Sequence, residues 1–95
     1  MAKKDRVARR YVVWGRVQGV GYRAFAVHAA NAAGVTGWAR NLDNGSVEVY
    51  AIGKPEQLSF LEGQLRMGPR LADVRGLDTA EDTVDAGLRG FGVRG

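Results

Sequence analysis

Two short extended segments joined by Asn44-Gly45 constrain the fold of this chain more than any other feature. Asn-Gly between two such segments is the strongest short-range sequence signal for a β-hairpin. The segments are residues 38–41 and 46–52. They are therefore predicted to be antiparallel neighbours in the middle of the chain.

A strand and a helix are predicted before this hairpin. Residues 7–17 are rich in Val, Tyr and Trp, which is typical of a buried strand, and this strand is followed by Gly19 and Gly21. An alanine-rich helix is expected over residues 24–33, closed by Gly34 in the left-handed conformation that is usual there. Its inward face is predicted to consist of Phe25, Ala29, Ala30 and Ala33.

A second helix and a strand are predicted after the hairpin. The helix begins at Pro55, a residue suited to the first turn, and stops at Gly68-Pro69. Its inward face follows helical spacing and consists of Leu58, Leu61 and Leu65. Residues 72–79 are expected to form a strand, and residues 90–94 a short terminal one. The acidic stretch that begins near the end of the first of these strands is predicted to be a solvated loop: Asp78, Glu81, Asp82 and Asp85.

The element order is therefore β-α-β-β-α-β, with a possible short fifth strand. This order in fewer than 100 residues predicts an α/β sandwich of the α+β class with ferredoxin-like topology. Its sheet is expected to be mainly antiparallel, with both helices on one face.

Length and charge narrow the classes of protein further. The 95 residues suffice for one domain, 1–95, with a flexible basic end at residues 1–6. The net charge of +4 arises in the first ten residues, so the body is neutral and no nucleic-acid partner is expected. The absence of cysteine excludes disulfides and thiolate nucleophiles. No membrane-spanning run and no signal-peptide pattern is present, so we expect a cytoplasmic protein. A monomer is the default expectation, since the sequence carries no signal for the oligomeric state.

The turn between the first strand and the first helix is the most informative segment. Two glycines allow successive backbone N–H groups to converge at the positive end of a helix, which suits an anion such as phosphate. Arg23 in the first helical turn opposes the helix dipole, a conflict that a bound phosphate would remove. The predicted phosphate-binding residues are Gln18, Gly19, Val20, Gly21, Tyr22 and Arg23. An ordinary glycine turn followed by a solvent-facing arginine remains equally open.

Two known nucleotide-binding motifs, the dinucleotide-binding motif and the Walker loop, do not apply to this turn. Gly19-x-Gly21-x-x-Ala24 fits the loose dinucleotide-binding pattern, but that pattern needs a parallel βαβ unit, whereas here the next strand enters a hairpin. A Walker loop is excluded because no Gly-Lys-Ser/Thr follows the turn.

Asn41 is the second candidate site residue. It lies at the end of a strand, where its side-chain amide can hold a water molecule with one acceptor and two donors. An asparagine near a turn more often bonds its own backbone, and that alternative stays open.

Several motifs together resemble the acylphosphatase family over nearly the whole chain. They are Gly15-Arg16-Val17-Gln18-Gly19-Val20-Gly21-Tyr22-Arg23, Thr36-Gly37-Trp38-Ala39-Arg40-Asn41, Gly45-Ser46-Val47-Glu48, Gly68-Pro69-Arg70 and Gly90-Phe91-Gly92-Val93-Arg94. The resemblance implies a ferredoxin-like fold and hydrolysis of acyl phosphates to a carboxylate and inorganic phosphate. It also implies that Arg23 binds phosphate with the loop amides, and that Asn41 orients the attacking water.

The remaining chemistry fits an acyl phosphate. His28 is the sole histidine and lies in the middle of the predicted helix, away from the loop. Asp43 and Glu48 are expected to have structural roles, Asp43 in the hairpin and Glu48 in its second strand. An acyl phosphate releases a carboxylate, whose conjugate acid has a pKa of about 4, so no general acid is needed. We therefore expect water to attack phosphorus in line, without a metal or cofactor. Tyr22 and Trp38 are expected to be packing residues.

Two alternatives remain at this level. The first is a non-catalytic phosphate- or RNA-binding module of the same fold, although the third strand offers only Tyr50 for stacking on bases. The second is a carbamoyl-phosphate-handling domain of a larger protein. The expected partner is a small acyl phosphate, with phosphate or sulfate able to occupy the loop, and neither nucleic acid nor membrane.

Overall fold

The computed structural model describes residues 6–95, which form one five-stranded sheet and two helices. The elements in chain order are β1 (Val7–Arg16), α1 (Tyr22–Ala33), β2 (Thr36–Asn41), β3 (Val47–Gly53), α2 (Pro55–Met67), β4 (Asp73–Asp82) and β5 (Phe91–Arg94). This order confirms the predicted ferredoxin-like βαββαβ layout, including the short fifth strand. The predicted basic end lies outside the described residues except for Arg6.

The sheet has the strand order β4-β1-β3-β2-β5 and is mixed. The hairpin strands β2 and β3 pair antiparallel with Trp38 opposite Tyr50, as the Asn-Gly turn predicts. β1 is antiparallel to both β3 and β4. Among the strands of residues 6–95, only β5 runs parallel to its neighbour, with Val93 opposite Ala39 of β2. The predicted, mainly antiparallel sheet is confirmed, with β4 and β5 at its edges.

Both helices pack on the same face of the sheet. Alternate residues of the strands point toward the helices, as the two-residue period of a strand requires. The resulting core includes Tyr11, Val13, Ala39, Val47 and Val49 from the sheet, Ala26, Ala29 and Ala30 from α1, and Leu58, Leu61 and Leu65 from α2. The three leucines predicted for α2 are fully buried.

The opposite face of the sheet carries a smaller cluster. Tyr50 and Trp38 stack with ring centroids 5.6 Å apart, and the guanidinium of Arg94 lies 4.7 Å from the Trp38 ring. The Tyr50 hydroxyl donates to the carbonyl of Thr83 and accepts from the amide of Asp85. These two hydrogen bonds fix the segment between β4 and β5 over this face. The stacking of Trp38 on Tyr50 and beneath Arg94 confirms the expectation that Trp38 is a packing residue.

Two sequence expectations need correction. Phe25 is only half-buried, and Ala26 takes its place on the inward face of α1, because Ala26 precedes the buried Ala29 and Ala30 by three and four residues, the spacing of a single helix face. The helix also begins at Tyr22, before the predicted start. The acidic segment is not all loop, since β4 continues to Asp82. Acidic side chains suit an edge strand because they oppose pairing with another chain.

None of the helices that the structure describes is long and apolar enough to cross a membrane.

Candidate active site

Gly19 and Gly21 shape the loop between β1 and α1. Their φ angles are +74° and +80°, in the left-handed region that other residues rarely adopt. A Cβ atom at either position would meet no heavy atom within 4 Å, so the backbone angle and not crowding requires glycine here. The open space beside both residues leaves the loop backbone accessible to a ligand.

The loop presents backbone donors that the described chain does not use. The amide of Phe25 closes the first turn of α1 by donating to the Gly21 carbonyl at 3.0 Å. Within residues 6–95, the amides of residues 19–24 make no hydrogen bond of good geometry to a backbone or side-chain acceptor. Unused amides at a helix start, together with the helix dipole, create a favourable site for an anion.

Arg23 adds a full positive charge to this site. It is half-buried in the first turn of α1, a turn that contains no acidic residue. None of the ion pairs formed among the described residues involves Arg23. The cation therefore opposes the helix dipole without local compensation, as the sequence predicts, and its guanidinium donors are available to a ligand.

Asn41 reaches the same cavity from the sheet. As the last residue of β2 it pairs with Val47, and strand alternation places it on the helix side together with Gly37 and Ala39. A cavity of about 290 Å³ lies between this strand end and the loop. Its walls are formed by Val17, Gly19, Gly21, Tyr22, Arg23, Ala24, Asn41 and Val93.

The structure brings most, but not all, of the predicted site residues to the cavity. Gln18 and Val20 do not line it. The side chain of Val20 packs against the core, and that of Gln18 donates to the hairpin carbonyls of Leu42 and Ser46. Phosphate binding by these two residues therefore stays a prediction that concerns their backbone amides.

Tyr22 fixes the end of the loop to the second helix. Its ring is buried, and its hydroxyl donates to the Leu65 carbonyl at 2.6 Å. Burial raises the pKa of Tyr22 well above the ordinary value for tyrosine. The expected packing role of Tyr22 is confirmed, and this anchor directly precedes Arg23.

Sequence reasoning did not find Val93 as a cavity residue. Val93 reaches the cavity because β5 lies parallel to β2, where Val93 is opposite Ala39, two residues before Asn41. A four-residue terminal strand carries no local signal for its partner, so only the resemblance in the segment 90–94 pointed to it.

The other titratable candidates lie outside the cavity. His28 and Asp43 are exposed, and Glu48 accepts from Arg40 at 2.7 Å on the opposite face of the sheet. In the part of the chain that the structure describes, no three histidine or carboxylate side chains are grouped to hold a metal ion.

Comparison with known proteins identifies one family. The acylphosphatase family model matches residues 9–93. An acylphosphatase from Solibacter usitatus is 60% identical over 77 residues, which cover 81% of this chain and 80% of that protein. The structure of an acylphosphatase from Coxiella burnetii has a TM-score of 0.88 at 32% identity and covers 97% of this chain and 96% of that one.

A second solved structure gives the same result. The crystal structure of acylphosphatase from Bacillus subtilis has a TM-score of 0.88 at 31% identity and covers 93% of this chain and 98% of that chain. These similarities favour a hydrolase over the two alternatives left open by the sequence, the non-catalytic binding module and the carbamoyl-phosphate-handling domain.

Proposed function

This chain belongs to the acylphosphatase family and hydrolyses acyl phosphates, and from that premise we propose that Arg23 and Asn41 are its catalytic residues. One observation carries the proposal. An arginine without an ion pair among the described residues, the unused amides of the glycine loop and a strand-end asparagine border a single cavity.

The phosphoryl group of the substrate occupies the glycine loop. Arg23 and the amides of residues 18–23 bind its oxygens, and these donors are held in place before the substrate arrives. Donors fixed in this way stabilise the charge that spreads over the equatorial oxygens in the transition state. Inorganic phosphate, the product, binds the same donors, and sulfate does so as its analogue.

Asn41 holds the attacking water on one side of the phosphorus atom. Its amide oxygen accepts a hydrogen bond from the water, which aligns the water oxygen with the bond to be broken. A bond forms between the water oxygen and phosphorus, and the bond between phosphorus and the acyl oxygen breaks. The electron pair leaves with the carboxylate, and a phosphate oxygen takes the proton of the water.

The reaction does not require a protein acid. The leaving carboxylate is a weak base, with a conjugate-acid pKa of about 4, so it departs without protonation. Positioning and charge stabilisation carry the catalysis, which agrees with a cavity bordered by one cation, one amide side chain and backbone donors.

Single substitutions test the two roles. Arg23→Ala is expected to raise KM and to lower kcat, with a loss in kcat/KM of about 100-fold or more, because a principal donor to the transition state is removed. Asn41→Ala is expected to lower kcat about 100-fold, since the water loses its alignment, while the inhibition constant of phosphate stays near the wild-type value. Release of phosphate from benzoyl phosphate measures both effects.

Matched controls for this test exist elsewhere in the chain. Arg66→Ala on the exposed side of α2 and Asn31→Ala on the exposed side of α1 remove the same side chains away from the cavity. Both controls should keep wild-type kinetics, and a chelator should leave the wild-type rate unchanged. Small and equal effects of Arg23→Ala and Asn41→Ala would contradict the assigned roles, and loss of activity in the chelator would contradict the metal-free reaction.

The enzyme acts, in this proposal, as a cytoplasmic monomer without a nucleic-acid partner. Acyl phosphates carry charges that prevent passage through a membrane, so an enzyme that consumes them works where they are made. The groups to which the proposal assigns roles, Arg23, Asn41 and the loop amides, all belong to the same chain. Light scattering of the purified protein and fractionation of cells test these two statements.

A further inference from the structure

We propose that Gln18 is a positioning residue whose side chain fixes the phosphate loop to the β2–β3 hairpin and so sets the place of Asn41 relative to the bound phosphate. This inference rests on the proposed function, because it acts through Asn41. It gives the Gln18 side chain a role of its own, apart from the phosphate binding that the proposed function assigns to the Gln18 backbone amide.

The contacts of Gln18 connect two separate parts of the site. Its Nε2 atom donates to the carbonyl of Leu42 at 2.8 Å and to the carbonyl of Ser46 at 2.9 Å. A primary amide has two N–H groups, so both donors of this side chain are used. Gln18 directly precedes Gly19 of the loop, and Leu42 directly follows Asn41.

The hairpin turn that receives these bonds is itself well ordered by hydrogen bonds. The amide of Leu42 donates to the Ser46 carbonyl at 2.8 Å, and the amide of Gly45 donates to the Leu42 carbonyl at 3.2 Å. The Asn44 side chain accepts from the amide of Ser46 at 3.0 Å. Gln18 is therefore attached to a rigid unit, and a shift of that unit would move Asn41 with it.

Strand pairing does not connect these two parts directly. β1 pairs with β3 only as far as Val13 opposite Val47, and beyond Val13 the strand continues to pair with β4 alone. Asn41 lies opposite the same Val47 at the end of β2. The loop and the turn thus both lie beyond the last pair of β1 and β3, and the Gln18 side chain bridges the gap between them.

Tyr22 anchors the loop in another direction. Its hydroxyl holds the far end of the loop, and with it Arg23, to α2 through the Leu65 carbonyl. Only the Gln18 contacts join the loop to the hairpin by side-chain hydrogen bonds among the described residues. Removal of the Gln18 amide should therefore loosen Asn41 relative to phosphorus and leave Arg23 and the backbone donors in place.

The steady-state kinetics of Gln18→Ala and Gln18→Met test the inference. Gln18→Met removes the side-chain amide but retains the side-chain volume. Each is expected to lower kcat about tenfold, because a small misplacement of the water is costly. The inhibition constant of inorganic phosphate should change by no more than about twofold, since the phosphate donors remain. Gln57→Ala is the matched control, because Gln57 accepts from the Lys54 amide at 2.8 Å, away from the cavity.

A double-mutant cycle with Asn41→Ala separates positioning from general destabilisation. Two residues that act through the same group lose their effects together and not additively. Gln18→Ala should therefore change kcat by no more than about twofold when Asn41 is already alanine. A residue that only stabilises the fold would lower kcat by the same factor in both backgrounds.

The outcomes distinguish this inference from the proposed function. If Asn41→Ala alone lowers kcat but Gln18→Ala costs an equal factor with or without Asn41, the positioning role is wrong and the role of Asn41 stands. If phosphate inhibition in Gln18→Met weakened by the same factor as kcat falls, the positioning role would also be wrong, and the Gln18 side chain would belong to the phosphate pocket. Full turnover in Asn41→Ala would overturn both roles.

Discussion

At the scale of single residues, the loop is held in a conformation that favours binding over stability. Gly19 and Gly21 adopt left-handed angles. The amides of residues 19–24 lack acceptors of good geometry in the described chain, and Arg23 opposes the helix dipole. The glycines adopt these angles without strain, whereas the amides without acceptors and the cation at the helix start are unfavourable in the empty protein and become favourable when a dianion is bound. Violations of local rules at one place are expected where a chain performs its function.

Gly19→Ala tests the left-handed angle of the loop. An alanine in this conformation costs about 1–2 kcal/mol, and relief of that strain would turn the neighbouring amides away from the cavity. We expect lower stability in urea denaturation and about tenfold weaker inhibition by phosphate, which corresponds to about 1.4 kcal/mol.

Gly63→Ala is the control for this substitution. Gly63 lies inside α2 with open space where a Cβ atom would be placed. Alanine there should stabilise the protein by about 0.5–1 kcal/mol and leave the kinetics unchanged. Equal phosphate inhibition in Gly19→Ala and the wild type would show that the glycine angle does not orient the donors.

At the scale of secondary-structure elements, two buried tyrosines connect the first part of the chain to α2. Tyr11 on β1 donates to the Leu58 carbonyl at 3.2 Å, and Tyr22 at the start of α1 donates to the Leu65 carbonyl at 2.6 Å. Burial raises the pKa of both hydroxyls above the ordinary value. Their neutral forms are therefore required by the packing of the helices on the sheet.

Tyr22→Phe should change the stability of the protein at alkaline pH. A raised pKa in the folded state means that the unfolded chain releases a proton first, so stability falls as pH rises above about 10. Above this pH, each such tyrosine lowers the free energy of unfolding by about 1.4 kcal/mol per pH unit, and Tyr22→Phe removes the contribution of one tyrosine. At neutral pH the variant should lose about 1 kcal/mol with its hydrogen bond.

Urea denaturation between neutral and alkaline pH measures this slope. Tyr11→Phe should reduce the slope in the same way but leave the kinetics unchanged, because Tyr11 does not border the cavity. Tyr22→Phe should also raise KM, since its anchor precedes Arg23. An alkaline slope equal to that of the wild type would contradict the contribution of Tyr22.

Elements with local signals could be predicted from the sequence, and contacts between elements could not. Asn44-Gly45 marks its hairpin locally, with Gly45 at a φ of +93°, and the leucines of α2 specify their buried face through spacing. The parallel pairing of β5 and the bridging contacts of Gln18 depend on which segments meet in space. Only the family resemblance predicted that Arg23 and Asn41 act at the same site, because nothing in their spacing along the chain indicates that they border one cavity.

At the scale of the whole molecule, the sheet order explains why such distant residues meet. Placing β1 beside β3, and β3 beside β2, brings the ends of the first and second strands to one end of the sheet. The helix that follows β1 starts there, and β5 completes the cavity from the edge through Val93. Binding at this place therefore draws on the folded state of the entire sheet, since no single element contains the site.

Because the site exists only in the folded protein, phosphate should stabilise the whole molecule through linkage. At a concentration of 100 times Kd the expected gain is about 2.7 kcal/mol in the free energy of unfolding. Arg23→Ala should be more stable than the wild type without phosphate, by about 0.3–1 kcal/mol, because the cation no longer opposes the helix dipole. The stabilities of the two proteins should therefore cross as phosphate is added.

Urea denaturation at increasing phosphate concentration, with sodium chloride at matched ionic strength as the reference, follows this crossing. Arg66→Ala removes a cation from the last turn of α2, where the dipole favours it, so this control should lose stability without phosphate. It should nevertheless gain as much from phosphate as the wild type does. A gain of the same size in Arg23→Ala would mean that phosphate binds elsewhere, and the loop could then not be the place where the phosphoryl group is held.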